Sequence, residues 1–174
     1  RMTPHEREKL HKEAARFYNR TLSHSSCLEY IYHSLRAGDH PEAAAAMIAQ
    51  GEELVSNGCV EELRGFLEEL DWKSLSEPVW GQVLLLKGRA CDIVGEWDKA
   101  LEFYRQALET ADGKHRTELF YDIGWIQQKR NLWSEAALSF QKCLQLSKEG
   151  EDRRGTARAY HGLGRVLWRQ GKWK

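Results

Sequence analysis

Residues Leu84 to Ala107, LLLKGRACDIVGEWDKALEFYRQA, contain the pattern from which the fold can be predicted. A second stretch, FYDIGWIQQKRNLWSEAALSFQKC from Phe120 to Cys143, aligns with it without gaps at a distance of 36 residues. Small, turn-forming and aromatic residues occupy the same places in both. The matched pairs are Gly88 and Gly124, Gly95 and Asn131, Trp97 and Trp133, Ala100 and Ala136, and Tyr104 and Phe140. This distance is close to the length of a two-helix repeat, about 34 residues.

A third copy of the pattern starts at Tyr160 and places Gly164, Gly171 and Trp173 at the same offsets. The sequence stops at Lys174, before the second helix of this copy. A stacked array exposes the apolar face of its last unit unless another helix covers it. We therefore expect more chain to follow, and we expect the exposed C-terminal end to be a place where self-association could occur.

Packing explains why these residue types recur. A small residue facing another small residue lets two antiparallel helices approach closely, so we expect Gly88 to face Ala100 and Gly124 to face Ala136. Gly95 and its counterpart supply the left-handed turn that ends the first helix of each pair. A single pair cannot bury its apolar face, whereas stacked pairs share a continuous core.

These motifs resemble the tetratricopeptide repeat family, from about Gly81 to the end of the chain. The resemblance implies an all-α fold, a right-handed superhelical solenoid of antiparallel helix pairs. Cys143 replaces the usual alanine, Asn131 replaces glycine, and the proline that often ends each repeat is missing. We expect these departures to loosen the packing between repeats without changing the fold.

The first part of the chain is helical and less regular. Gly38 suits a helix C-terminus and Pro41 suits the first turn of the next helix, which indicates a divergent repeat. We predict divergent helical repeats over residues 1–76 and tetratricopeptide repeats over residues 77–174, two complete and one truncated, forming one continuous solenoid. Nine helices are expected, near residues 5–22, 26–37, 41–57, 60–70, 77–94, 97–111, 115–130, 134–147 and 153–170.

The N-terminal part carries a second resemblance. Residues 6–18, 29–39, 51–54 and 61–63 are similar to the helical segment that follows the winged helix in signal-transduction ATPases of the maltose-regulon-activator and archaeal type. The resemblance implies a sensor module that belongs to a larger multidomain regulator with an ATPase domain upstream. The phosphate-binding motif G-x-x-x-x-G-K-[ST] does not occur in this sequence, so nucleotide chemistry is not expected in it.

Composition excludes several classes of protein. With 41% hydrophobic and 30% charged residues and only 3 prolines, the 174-residue chain is typical of a folded helical protein. No apolar run approaches the length of a membrane span, about 20 residues, and no signal peptide is apparent, so a cytoplasmic location without membrane contact is expected. The four cysteines form no C-x-x-C pair, which favours free thiols.

Enzyme motifs are not found. The seven histidines are scattered, and no spacing of the H-E-x-x-H kind appears. His24 with Cys27 and His33 with His40 are weak candidates for metal ligands and are better explained as packing or surface residues. We therefore expect no catalysis, no cofactor and no metal.

Binding is the remaining class of function. In tetratricopeptide solenoids the first helix of each repeat lines the concave face, and helical spacing from Gly88, Gly124 and Gly164 selects the contact residues. A protein or peptide partner is expected there, and a small inducer is a further possibility by family resemblance. The Lys and Asn arrangement of chaperone-tail clamps is absent at these places. The predicted partner-binding residues are Arg89, Asp92, Tyr121, Trp125, Gln128, Arg158, His161, Arg165 and Arg169.

Charge leaves an alternative open. Residues 153–174 contain seven basic residues and no acidic one, although the whole chain has a net charge of zero. Such a run is usually a solvated face, but it is also suited to an acidic partner or to nucleic acid. In the second case Trp168 and Trp173 would be available to stack on bases.

Overall fold

The computed structural model describes residues 2–19 and 24–171. Within these residues it contains nine α-helices and no β-strand, which confirms the predicted all-α class. The helices are α1 (Pro4–Tyr18), α2 (His24–Arg36), α3 (His40–Ser56), α4 (Val60–Glu69), α5 (Glu77–Ile93), α6 (Trp97–Thr110), α7 (Gly113–Lys129), α8 (Trp133–Glu149) and α9 (Arg153–Arg169). Trp173 and the other predicted features of residues 20–23 and 172–174 lie outside the described residues.

Apart from the C-terminus of α1, the helix boundaries fall within two residues of the predicted ones. Helix α1 covers Pro4–Tyr18 with Asn19 as its C-terminal cap, and its predicted end at residue 22 lies outside the described residues. Helix α7 begins two residues early because the Asp112 side chain accepts a hydrogen bond from the His115 backbone N–H. A short 3-10 turn, Trp72–Ser74, was not predicted.

The predicted turns are present. Gly95 has a φ of 80° and Asn131 a φ of 61°, so both occupy the left-handed region at equivalent places in the repeat. Asn tolerates this conformation better than most residues with a side chain, which explains why it can replace glycine there. Pro41 lies in the first turn of α3, as expected.

The chain divides into two compact units, Arg1–Ala90 (unit 1) and Cys91–Lys174 (unit 2), with the division inside α5. In unit 1, α2 packs against α1, α3 and α4. Its core is aliphatic and fully buried at Ile31, Met47, Leu63 and Val83. This packing of consecutive helices agrees with the solenoid prediction.

In unit 2, α7 packs against α6 and α8, and α9 packs against both α8 and α7. The fully buried Phe140 of α8 lies at the centre of this arrangement. A Cβ atom on Gly124 would lie 2.8 Å from the Phe140 ring, and one on Gly162 would lie 2.7 Å from it. The partner expected for Gly124 was Ala136, but its tightest neighbour is Phe140, because the ring occupies the space that the missing side chain leaves.

Helices α1 and α2 of unit 1 are joined by a pair of histidines. The Nδ1 atoms of His11 and His33 lie 2.7 Å apart, and the Tyr18 ring stacks on His33 at 5.7 Å. The His33 Nε2 atom lies 3.7 Å from a Glu29 carboxylate oxygen. A hydrogen bond between two Nδ1 atoms needs one nitrogen with a proton and one without, so it is lost when both rings are doubly protonated.

Acid is expected to weaken this contact. Burial lowers the pKa of His11, and the neighbouring His33 and Arg36 lower it further. Since the folded pKa is below that of the unfolded chain, the stabilisation is complete above about pH 6.5 and is lost as the pH falls through the folded pKa. In urea unfolding at pH 7.5 and 5.5, His11→Gln should reduce the loss of stability on acidification. The exposed His161, changed to Gln, is the control, and an equal reduction in both variants would contradict the prediction.

Candidate functional site

Two aromatic side chains of α7 lie side by side in unit 2. Tyr121 and Trp125 are four residues apart, which places them on one side of the helix, and their rings stack with centroids 6.3 Å apart. The Tyr121 ring also contacts the buried Phe140 ring at 5.7 Å. The Tyr121 ring is therefore packed against the core of unit 2, while the side chains of both Tyr121 and Trp125 remain partly exposed.

Three arginines of α9 lie near aromatic rings, two of them over the Tyr121 and Trp125 pair. The Arg158 guanidinium carbon lies 3.9 Å from the Tyr121 ring centroid, and that of Arg165 lies 4.6 Å from the Trp125 centroid. Arg169 lies 5.7 Å from the Trp133 centroid and 5.5 Å from that of Trp168. The delocalised guanidinium plane is suited to such stacking, which leaves its edge N–H groups able to donate. We call Tyr121, Trp125, Arg158, Arg165 and Arg169 the α7–α9 face.

Ion pairs between helices border this face. The Asp122 carboxylate lies 3.5 Å from Arg158, and the Asp92 carboxylate lies 2.6 Å from Lys129. Both carboxylates are mostly buried, with 13% and 17% of their side chains exposed. Pairing of this kind partly neutralises Arg158. By contrast, no described carboxylate lies within ion-pair distance of Arg165 or Arg169, and both arginines are exposed.

The structure brings together five of the predicted partner-binding residues on the α7–α9 face. Asp92 lies beside it and is paired with Lys129. His161 is exposed on α9, and no described contact ties it to the aromatic pair. Arg89 belongs to unit 1, where it binds Glu52 at 3.0 Å.

The expected surface position of Gln128 is wrong. Only 5% of Gln128 is exposed, and its Nε2 atom has no hydrogen-bond partner among the described residues. Helical counting assigned it to the same side as Tyr121 and Trp125, but α7 is packed by α6, α8 and α9, so little of its circumference remains free.

Three contributors were missed by the sequence analysis. Asp122 positions Arg158, Lys129 approaches the Trp125 ring at 5.9 Å, and Trp133 supports Arg169. The repeat alignment gives no signal for the first, since Asp122 and Arg158 are 36 residues apart whereas the second and third copies of the pattern are 40 residues apart.

The described residues contain no group of three or more His, Cys, Asp or Glu that could hold a metal ion. All four cysteines are free thiols. Within residues 2–19 and 24–171, no helix has both the length and the apolar character needed to cross a membrane.

Comparison with known families identifies the repeats. Residues 83–116 and 119–154 match the family model for the tetratricopeptide repeat, and these segments contain the windows aligned on Gly88 and Gly124. These two segments are therefore similar to tetratricopeptide repeats, helix pairs that generally mediate protein–protein interactions. No curated protein matches the chain. The resemblance of the N-terminal part to signal-transduction ATPases stays a prediction, as does the third, truncated repeat.

Proposed function

We propose that this chain is a non-catalytic interaction module that binds an extended segment of a partner protein on the α7–α9 face. The observation that carries the proposal is the arginine–aromatic stacking, because stacked rings and guanidinium groups give a large contact area with little loss of side-chain entropy on binding. A surface that is already ordered by its own contacts needs little reorganisation when a partner arrives.

The charges around the face support a partner that is not positively charged. Helix α9 carries Arg153, Arg154, Arg158, Arg165 and Arg169 and no acidic residue. Among these, only Arg158 has a carboxylate partner in the described part of the chain. Electrostatic attraction at such a surface raises association rates and discriminates against basic partners.

A role within a larger regulator is a further part of the proposal. The similarity of residues 6–18 and 29–39 to a segment of signal-transduction ATPases supports it, and in that setting a small inducer could replace the peptide on the same face. The observation that tests it is the full reading frame: a phosphate-binding loop and a winged helix upstream would support the regulator, and an unrelated upstream sequence would contradict it.

Removing one ring should separate binding from folding. We expect Trp125→Ala to weaken the binding of a peptide selected by display on this chain by about 30-fold or more, because a central aromatic anchor contributes about 2 kcal/mol or more to an interface. The matched control is Trp72→Ala, since Trp72 is 57% exposed and lies in unit 1. Binding is measured by fluorescence anisotropy and folding by far-UV circular dichroism.

Both variants should keep the helical content of the parent chain. Equal affinity of the parent chain and Trp125→Ala for every selected peptide would contradict the assignment of the α7–α9 face, and so would an equal loss in Trp72→Ala.

A further inference from the structure

Two arginines of the α7–α9 face lie over aromatic rings and have no acidic partner among the described residues. Arg165 stacks on Trp125, and Arg169 contacts the rings of Trp133 and Trp168. Both guanidinium groups are exposed, and no carboxylate among the described residues pairs with them. Each therefore presents N–H donors to solvent, and the planar guanidinium group matches the two oxygens of a carboxylate.

From this arrangement we infer that the face selects an extended acidic segment in which two carboxylates are two positions apart, Glu-x-Glu or Asp-x-Asp. The inference rests on the proposed function and adds the chemistry of the partner. Arg165 and Arg169 are four residues apart on α9, which corresponds to about 6 Å along the helix axis. In an extended chain, residues i and i+2 point the same way and are about 6.6 Å apart. The two spacings agree closely enough for each arginine to bind one carboxylate.

Arg158 is not expected to supply a third site. Its guanidinium group is held by Asp122 at 3.5 Å and by the Tyr121 ring at 3.9 Å. A partner carboxylate there would have to compete with a mostly buried carboxylate that is already in place. The recognition element is therefore short and centred on Arg165 and Arg169.

The same contacts disfavour a single-stranded nucleic acid. Base stacking needs free aromatic faces, yet the Trp125 ring is already in contact with Tyr121 and Arg165. Lys129 also approaches this ring, at 5.9 Å. Part of the Trp125 ring is therefore already covered, which suits carboxylates better than bases, and an oligothymidine probe also tests the exposed Trp168 ring.

The test uses two synthetic eight-residue peptides of equal composition, each with two glutamates in a Gly and Ser background and a fluorescent label. One has Glu-Ser-Glu and the other separates the glutamates by four positions. We expect the first peptide to bind the 174-residue chain at least fivefold more tightly at 0.15 M salt. Arg165→Gln/Arg169→Gln should abolish this preference and lower the affinity at least tenfold.

Arg153→Gln/Arg154→Gln is the matched control, because it removes the same charge from the same helix at two exposed positions. We expect it to change the affinity less than threefold. Arg165→Lys/Arg169→Lys keeps the charge without the planar group and should lose most of the spacing preference. A labelled oligothymidine of eight nucleotides is the competing probe.

Three results would overturn the inference: equal binding of the two peptides, equal losses in the two glutamine variants, or tighter binding of the oligothymidine. The experiments distinguish a failure of this inference from a failure of the proposed function. If the Trp125→Ala variant loses the display-selected peptide while Arg165→Gln/Arg169→Gln retains it, the face is the binding site and only the acidic spacing is wrong.

Discussion

Replacing Phe140 by Ala is expected to lower the free energy of unfolding by about 3–5 kcal/mol, the usual cost of removing a buried aromatic ring. Phe140 is fully buried, and its ring fills the space beside Gly124 of α7 and Gly162 of α9. Neither glycine has a side chain that could move into the cavity, so the site cannot collapse easily. Urea unfolding followed by circular dichroism measures the change.

Phe140→Ala should also disturb the α7–α9 face, because the Phe140 ring packs against the Tyr121 ring, with the two ring centroids 5.7 Å apart. Affinity for the Glu-Ser-Glu peptide should therefore fall in the folded variant. Leu138→Ala is the control, since Leu138 lies on the same helix and is 66% exposed. The free energy of unfolding of Leu138→Ala should differ from that of the parent chain by less than about 0.5 kcal/mol. A loss below about 1 kcal/mol for Phe140→Ala would show that the ring is not the centre of this core.

The backbone of this fold was predictable because it depends on local chemistry that recurs. Gly38, Gly95 and Asn131 mark turns whose φ angles are positive, and Pro41 lies in the first turn of the helix that follows Gly38. Such signals depend on a few neighbouring residues, so one sequence is enough to find them. The repeat alignment added the aromatic position at Phe140, which lies in the core.

The surface was harder to predict, because burial on a helix depends on how many neighbours surround it. Gln128 has the spacing of a surface residue and is buried, since three helices pack around α7. The stacking of Arg165 on Trp125 depends on how α9 is aligned along α7. A short stretch of sequence does not reveal this alignment. Periodicity identifies the side of a helix on which a residue lies, and only the packing shows what covers that side.

Two glycines that the repeat alignment treats as equivalent should respond oppositely to the addition of a methyl group. Gly→Ala inside a helix stabilises by about 0.5–1 kcal/mol when space is free, because alanine loses less conformational entropy. At Gly164 nothing lies within 4 Å of the added Cβ, so Gly164→Ala should raise the free energy of unfolding by that amount. At Gly124 the added Cβ would lie 2.8 Å from the Phe140 ring. Gly162 of α9 lies close to the same ring, which limits how far the ring can move away.

Gly124→Ala should therefore lower the free energy of unfolding by about 1–3 kcal/mol, the cost of overpacking a core, despite its gain in helix propensity. A double-mutant cycle with Phe140→Leu checks the cause, since a smaller side chain makes room for the methyl group. We expect a favourable coupling of about 0.5–3 kcal/mol between Gly124→Ala and Phe140→Leu, and none between Gly164→Ala and Phe140→Leu. Stabilisation by Gly124→Ala, or additivity of both pairs, would mean that α7 does not approach α8 as closely as the Phe140 contact requires.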